Sequence, residues 1–121
     1  QWLRKIAEPP YSRVAPDVTE KIVNGMAKVG PAVQLNDFLC CDKFDIMDKV
    51  TQIAVPTLVI SGTEDNMTPV KYSQYLANKI TGAELVIIEG ATHYCQLEKP
   101  AEVNRAIETF LNKLQNHVLS F

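Results

Sequence analysis

Hydrophobic positions follow two different patterns along the 121 residues of this chain. Up to about residue 50 they recur at helical spacing, and the clearest stripe consists of Val18, Ile22, Met26 and Val29. Beyond that point two short aliphatic runs, residues 57–61 and 85–88, each lead into a glycine-containing turn. Such runs are typical of strands that are buried on both faces. The pattern therefore predicts small helices first, and then strands that alternate with helices.

Polar caps and prolines mark where the helices should begin. We expect Asp17 to cap the first helix, with Glu20 completing a capping box. We expect Thr68 to cap the helix that follows the first strand. Prolines 31 and 100 are suited to the first turn of two further helices. These signals predict four main helices, two before the first strand and two after it.

The second half of the chain has the order strand, helix, strand, helix. This order predicts an α/β fold in which two parallel strands are joined by a right-handed crossover helix. The last helix is expected to bury one apolar face, made of Val103, Ile107, Phe110, Leu114 and Val118. We therefore predict two regions, a helical one over residues 1–50 and an α/β one over residues 51–121.

Two polar residues that can act together lie just beyond the predicted strands. Asp65 follows the first strand through a glycine-containing turn, and His93 follows the second strand. The carboxyl ends of parallel strands share one edge of the sheet, where α/β proteins bind ligands, so both side chains are expected there. An Asp that orients a His makes up two thirds of a nucleophilic triad. An Asp in a turn and a single His are more often incidental, so the spacing alone leaves both interpretations open.

Two sequence motifs resemble the serine α/β-hydrolases. Val55-Pro-Thr-Leu-Val-Ile-Ser-Gly-x-x-Asp65-x-x-x-Pro69 is similar to the acid-bearing strand and turn of that superfamily, and Gly90-Ala-Thr-His93-x-x-x-x-Glu98-Lys-Pro100 resembles its histidine loop and last helix. The order of acid before histidine also agrees, since the serine precedes both in that superfamily. The resemblance implies that Asp65 and His93 are catalytic. It also implies that residues 1–50 are part of a helical lid and that residues 51–121 are the C-terminal part of the hydrolase core.

The chain departs from the superfamily in lacking a recognisable nucleophile. No serine stands in a Gly-x-Ser-x-Gly motif, and the four serines are Ser12, Ser61, Ser73 and Ser120. Thr92 also stands where a glycine often precedes the histidine, and the chain opens on Gln1 rather than Met. By resemblance, the chain is the C-terminal half of a hydrolase of ester or related acyl bonds whose serine lies elsewhere. The 121 residues alone are expected to be inactive.

Two other classes of function fit the same residues. One is a non-catalytic, hydrolase-like module that binds or completes a partner chain, and the other is a lyase or C–C hydrolase on the same scaffold. A Gly-x-Ser-x-Gly motif upstream in the same gene would distinguish an enzyme from a module. Expected partners are a small ester-like substrate and either the missing N-terminal half or a second copy. The second expectation arises because a sheet of about two strands leaves exposed edges.

Composition narrows the class of partner. A net charge of -2 and a pI of about 5.6 argue against nucleic acid and against anionic membrane surfaces. No apolar run approaches the roughly 20 residues that a membrane span needs. The cysteines, Cys40, Cys41 and Cys95, lack C-x-x-C spacing. We therefore expect free thiols in a reducing compartment, the cytoplasm, and no metal or organic cofactor.

Four other residues are also candidates for a role in the site. Glu64 is the alternative acid, but the Gly-x-x-Asp spacing favours Asp65. We expect Glu98 to be structural, near the start of the last helix where its charge suits the helix dipole. Cys95 is expected to be a packing residue and His117 to have no catalytic role. Asp65 therefore remains the predicted acid.

Overall fold

A computed structural model describes residues 16–118 of the chain. Its elements in order are α1 (Pro16–Val29), α2 (Pro31–Lys43), a 3-10 helix (Met47–Gln52), β1 (Leu58–Gly62), α3 (Val70–Lys79), β2 (Glu84–Ile88), the short α4 (Cys95–Glu98) and α5 (Pro100–Val118). They divide into two compact units, one ending at Asp48 and one beginning at Lys49. The described part excludes Ser12 and Ser120, and it also excludes the side chains of His117 and Val118.

The first unit contains the helix pair α1 and α2. The helix α1 begins at Pro16, so the prediction that Asp17 is its cap is wrong. Proline takes the first helical position because its φ is preset for a helix and it has no N–H to leave unpaired. Gly30, with a φ of 85°, separates the two helices, and α2 begins at Pro31 as predicted. The Gln34 side chain joins them by donating a hydrogen bond to the Met26 carbonyl at 2.5 Å.

The two helices of this unit bury their apolar residues to different extents. On α1, Val18 and Ile22 are buried as their spacing predicts, whereas Val29 of the same stripe is 50% exposed. On α2 four apolar residues are about half exposed or more, and these are Val33, Leu35, Phe38 and Leu39. The assignment of residues 1–50 to a lid rests on resemblance and stays a prediction.

The second unit is built on two parallel strands. Leu58 pairs with Glu84 and Gly62 with Ile88, so β1 and β2 run in register along their whole length. The helix α3 connects them, which confirms the predicted α/β unit of parallel strands. Their ends lie within one residue of the predicted bounds. The Pro and Gly residues that flank the aliphatic runs account for this accuracy, because they limit where a strand can begin and end.

The core of the second unit lies between the sheet and α5. Ile88, Ala91 and Val103 form a buried cluster, and Ile60 and Val86 from the strands pack against it. The other face is less covered, since Ile87 is 39% exposed whereas Ile88 is 5% exposed. The expectation that both faces of the strands are buried is therefore wrong for Ile87. No helix within residues 16–118 is long and apolar enough to span a bilayer.

Candidate active site

Two loops leave the sheet at the same edge and carry the predicted site residues. Loop 63–69 follows β1 and loop 89–94 follows β2. Because Gly62 and Ile88 are partners in the strand register, the two loops start side by side. The structure thus brings Asp65 and His93 to one edge of the sheet, as the order of the elements predicts.

Three hydrogen bonds fasten the two loops to each other. The N–H of Thr63 donates to the Ile88 carbonyl at 3.0 Å, and the N–H of Glu64 donates to the Ala91 carbonyl at 2.9 Å. In the opposite direction the N–H of Gly90 donates to the Thr63 hydroxyl at 2.8 Å. The acid loop and the histidine loop are therefore one hydrogen-bonded assembly.

Gly62 allows the loops to approach this closely. A Cβ on Gly62 would lie 2.2 Å from the carbonyl oxygen of Ala91 and 2.7 Å from that of Thr92. Both are backbone atoms, which cannot rotate away as a side chain would. Glycine at this position is consequently a condition for the observed distance between the loops.

The Asp65 carboxylate is buried and surrounded by hydrogen-bond donors. Asp65 is 8% exposed. Its Oδ1 accepts the N–H groups of Met67 at 2.9 Å and Thr68 at 2.8 Å. Its Oδ2 accepts the Thr68 hydroxyl at 2.7 Å. These three hydrogen bonds, all from residues of its own loop, therefore fix the orientation of the carboxylate.

His93 completes the set of contacts around Asp65. Its Nδ1 lies 3.0 Å from Oδ2 of Asp65, and its side chain is 30% exposed. Because the carboxylate only accepts hydrogen bonds, Nδ1 carries the proton in the neutral imidazole, and Nε2 is left as the basic nitrogen. The Tyr94 ring packs edge-on against the imidazole, with 5.4 Å between ring centroids. The ring is thus oriented with one nitrogen on the acid and the other free to take a proton.

Opposing effects set the charge of Asp65. Burial raises the pKa of Asp65, but hydrogen bonds from the Thr68 backbone and hydroxyl and from His93, with the His93 charge, outweigh burial and hold the pKa below its ordinary value. Asp65 is therefore ionised at neutral pH. The carboxylate therefore presents a negative charge to the Nδ1 side of the His93 ring.

Thr68 does not cap α3 as predicted. The N-cap position is occupied by Pro69, with no side-chain hydrogen bond to the helix. The Thr68 hydroxyl instead lies between Oδ2 of Asp65, at 2.7 Å, and Nδ1 of His93, at 3.3 Å. As a cap the hydroxyl would accept a helix N–H, whereas here it donates to a charged carboxylate, and such charge-assisted hydrogen bonds are strong. Thr68 is thus a site residue that the sequence analysis missed.

Glu98 is structural, but for a different reason from the predicted one. It is the last residue of α4 and lies outside α5, so the dipole of α5 does not explain it. Its carboxylate accepts hydrogen bonds from the N–H of Thr92, at 2.6 Å, and from the Thr92 hydroxyl. The H-x-x-x-x-E spacing was visible in the sequence, but the partner of the glutamate was not.

Cys95 is partly buried and packs against the core cluster. Burial raises the pKa of its thiol, and the charges of Glu98 and Asp65 act in the same direction. The thiol is therefore neutral near pH 7, which suits a packing residue and not a nucleophile. The other two cysteines are free and exposed on α2.

No nucleophile or metal cluster accompanies the pair within residues 16–118. Ser61 is buried in β1 and Ser73 lies on α3, and neither serine hydroxyl hydrogen-bonds to His93. In the same range no group of three or more His, Cys, Asp or Glu side chains is placed to hold a metal ion. The described site is thus an acid and a base in contact, open to solvent on the side of His93.

Comparison with known proteins assigns the chain to a family. The sequence model of a family of α/β-hydrolases, Abhydrolase_4, described as "TAP-like protein", matches residues 36–117, which are 82 of the 121 residues. The chain belongs to the α/β-hydrolases. Membership confirms the resemblance inferred from the acid and histidine motifs.

Several relatives of this α/β-hydrolase are hydrolases themselves. It is 29% identical to 3-oxoadipate enol-lactonase 2 of Acinetobacter baylyi over 108 residues, which is 87% of this chain and 39% of the relative. A solved thermophilic esterase is 36% identical with a TM-score of 0.78, covering 91% of this chain and 46% of the esterase. Est816, described as an N-acyl homoserine lactone degrading enzyme, is 28% identical with a TM-score of 0.72, covering 88% and 45%. The chain therefore spans less than half the length of each.

Proposed function

We propose that this α/β-hydrolase chain supplies the acid and the histidine of a Ser-His-Asp triad that hydrolyses ester or related acyl bonds. Asp65 is the acid, His93 is the base, and the serine belongs to a part of the polypeptide outside these 121 residues. Residues 51–121 would form the C-terminal part of the core and residues 1–50 part of the lid. The observation that carries the proposal is the 3.0 Å contact between the buried Asp65 and the partly exposed His93.

The geometry supports a defined sequence of proton transfers. Asp65 accepts a hydrogen bond from the Nδ1–H of His93, so Nε2 is free to take the proton of the serine hydroxyl as the serine attacks the acyl carbonyl. The resulting imidazolium is stabilised by the ionised Asp65. His93 then returns the proton from Nε2 to the leaving group. Water attacks the acyl-serine through the same two proton transfers, and the carboxylic acid product is released.

The relatives support an ester as the substrate class. The printed names of three of them are an enol-lactonase, an esterase and an N-acyl homoserine lactone degrading enzyme. A lactone is a cyclic ester, so the first two names refer to one type of bond, and the compound in the third name also contains it. We extend that bond type, and not any one of these substrates, to the present chain.

Substitution of the pair tests the proposal in the serine-bearing hydrolase, by which we mean this chain together with the segment that holds the serine. We expect Asp65→Asn to lower kcat by up to about 10⁴-fold, because an amide that donates to Nδ1 favours the wrong tautomer. His93→Ala should cost at least as much. Asp48→Asn removes an exposed carboxylate from the 3-10 helix and should leave kcat unchanged. Near-wild-type turnover by either Asp65→Asn or His93→Ala would remove that residue from the triad.

The 121-residue chain alone provides a second test. Without the serine it should show no burst of product from a p-nitrophenyl ester and no acyl group bound to a serine. Slow attack by His93 itself would give a linear time course without a burst. A covalent acyl-enzyme on any of the four serines, detected by mass spectrometry, would contradict the proposal that the nucleophile lies elsewhere.

A further inference from the structure

The peptide that precedes His93 is held by a carboxylate from outside its loop. Thr92 is only 4% exposed. Its N–H donates to Oε2 of Glu98 at 2.6 Å, and its hydroxyl donates to Oε1 of the same residue. Both oxygens of one carboxylate are thus directed at the residue immediately before the imidazole.

Glu98 is itself held by backbone hydrogen bonds. It ends the short α4, where its N–H donates to the Tyr94 carbonyl at 3.1 Å and the Lys99 N–H donates to the Cys95 carbonyl at 2.8 Å. The Val103 N–H, in the first turn of α5, donates to the Lys99 carbonyl at 3.1 Å. The carboxylate therefore connects the histidine loop to the start of the longest helix of the unit.

The other side of the loop is fixed to the acid loop. Ala91 is fully buried, and its carbonyl accepts the Glu64 N–H at 2.9 Å. Thr92 thus lies between a neighbour held by the acid loop and a carboxylate held by α4. The backbone immediately before His93 is therefore held from both sides while the His93 Nδ1 lies 3.0 Å from Oδ2 of Asp65.

We infer that Glu98 is a positioning residue, which acts through Thr92 to hold the His93 ring against Asp65. The inference rests on the proposed role of His93 as the base. A carboxylate suits the task because Thr92 presents two donors, and a buried donor without an acceptor costs stability. Glutamine would offer one acceptor oxygen and one NH₂ group, and the latter cannot accept either donor.

The tautomer of His93 measures its position without reference to activity. The chain contains two histidines, so ¹⁵N-histidine labelling of the 121-residue chain gives few signals, and His93→Gln identifies those of His93. Solid-state NMR reads the tautomer in monomeric and in associated forms of the chain alike. At a pH at which the ¹⁵N signals show a neutral imidazole, the wild type should show mainly the Nδ1-protonated tautomer, because Asp65 accepts a hydrogen bond from that nitrogen. In Glu98→Ala we expect the ratio of Nδ1- to Nε2-protonated forms to fall by roughly twofold or more, because neutral imidazole in water favours Nε2 protonation.

Thr92 variants separate position from charge. Glu98 acts electrostatically on its surroundings, as its effect on the Cys95 thiol shows. Thr92→Val keeps the Glu98 charge but removes the hydroxyl donor, so it should shift the tautomer ratio in the same direction as Glu98→Ala. Thr92→Ser keeps both donors and should preserve the wild-type ratio. Glu89→Gln removes an exposed carboxylate from the same loop and should also have no effect.

A control for general loss of stability is Ile80→Ala. Ile80 is buried and directly follows α3. It precedes the start of β2, whereas the two loops follow the ends of β1 and β2. This variant should be destabilised with an unchanged tautomer ratio. Wild-type ratios in both Glu98→Ala and Thr92→Val would overturn the inference. A shift in Glu98→Ala alone would assign the effect to charge and would overturn it too. If the ratios shift as expected while Asp65→Asn leaves turnover unchanged, the positioning role stands and the proposed triad fails.

Discussion

The Asp65 carboxylate uses both oxygens as acceptors in a buried site. Two backbone N–H groups, the Thr68 hydroxyl and the His93 imidazole give it four hydrogen bonds. All four favour the ionised form, whereas burial disfavours it, and the lowered pKa shows that the hydrogen bonds dominate. If Asp65 were protonated, one of its oxygens would carry a hydrogen and become a donor, although the groups around it are themselves donors. The charge of this residue is therefore coupled to the folding of its loop.

This coupling predicts a specific dependence of stability on pH. The folded-state pKa of Asp65 lies below the unfolded value of about 3.9, so its contribution is fully present above that value. The contribution is lost as the pH falls through the folded pKa. In chemical denaturation at constant protein concentration, the wild type should lose more unfolding free energy than Asp65→Asn below about pH 4. Parallel curves for the two proteins would show that ionised Asp65 does not stabilise the fold.

At the scale of elements, the packing of the end of β1 against the histidine loop sets the distance between acid and base. The Cβ introduced by Gly62→Ala would meet two backbone carbonyl oxygens, at 2.2 Å and 2.7 Å. The strand end and the loop must move apart to admit it. Movements of this kind disturb a catalytic pair even though the substituted residue contacts neither member.

Gly62→Ala should therefore damage both stability and catalysis. We expect a loss of about 1–3 kcal/mol in unfolding free energy, as for overpacked core sites. In the serine-bearing hydrolase we expect kcat to fall by about 10²-fold, as for a displacement of about 1 Å. Gly25→Ala is the matched control, because a Cβ there meets no atom within 4 Å and the residue lies inside α1. If the two variants changed the unfolding free energy and kcat equally, the close approach of the backbone to Gly62 would have no effect on either quantity.

The strands and the acid–histidine contact were predictable because local signals and topology agree. Proline and glycine delimit the aliphatic runs, and two parallel strands bring their carboxyl-terminal loops together. The cap of α3 was not predictable in this way, since Thr68 could bond either to the helix or to Asp65, and the sequence does not rank the two. The role of Glu98 also depended on a tertiary contact, with Thr92 six residues away. Secondary-structure propensity predicts helices, strands and turns, but it does not predict which side chain a given donor or acceptor contacts.

At the scale of the whole molecule, the sheet is small for the apolar surface it carries. Within residues 16–118, β1 pairs only with β2, so each strand has one edge without a partner strand. Ile87 on the sheet and most apolar residues of α2 are substantially exposed. The Ser61 hydroxyl in β1 is buried with no hydrogen-bond partner. The unpaired strand edges and the exposed apolar residues are surfaces on which further polypeptide can pack.

We therefore predict that the 121-residue chain is not a stable monomer. Unpaired strand edges and exposed apolar surface favour association with a second copy, association with a separate N-terminal half, or aggregation. Size-exclusion chromatography with light scattering measures the outcome directly. A sharp species at the monomer mass of 13.5 kDa that melts cooperatively would contradict the prediction. Addition of the serine-bearing segment should convert the associated forms into a single defined species.

The cross-linked loops also have a consequence for the order of assembly. Asp65 and His93 are 28 residues apart, and every hydrogen bond described between them and their neighbours lies within one strand–helix–strand unit and its two loops. The entropy lost in closing so short a loop is modest and is already lost when β1 and β2 pair. The base is thus oriented before any serine arrives. When the serine-bearing segment is supplied as a separate chain, we therefore expect activation to be a bimolecular docking event, whose rate depends on the concentration of the two parts rather than on slow rearrangement within this chain.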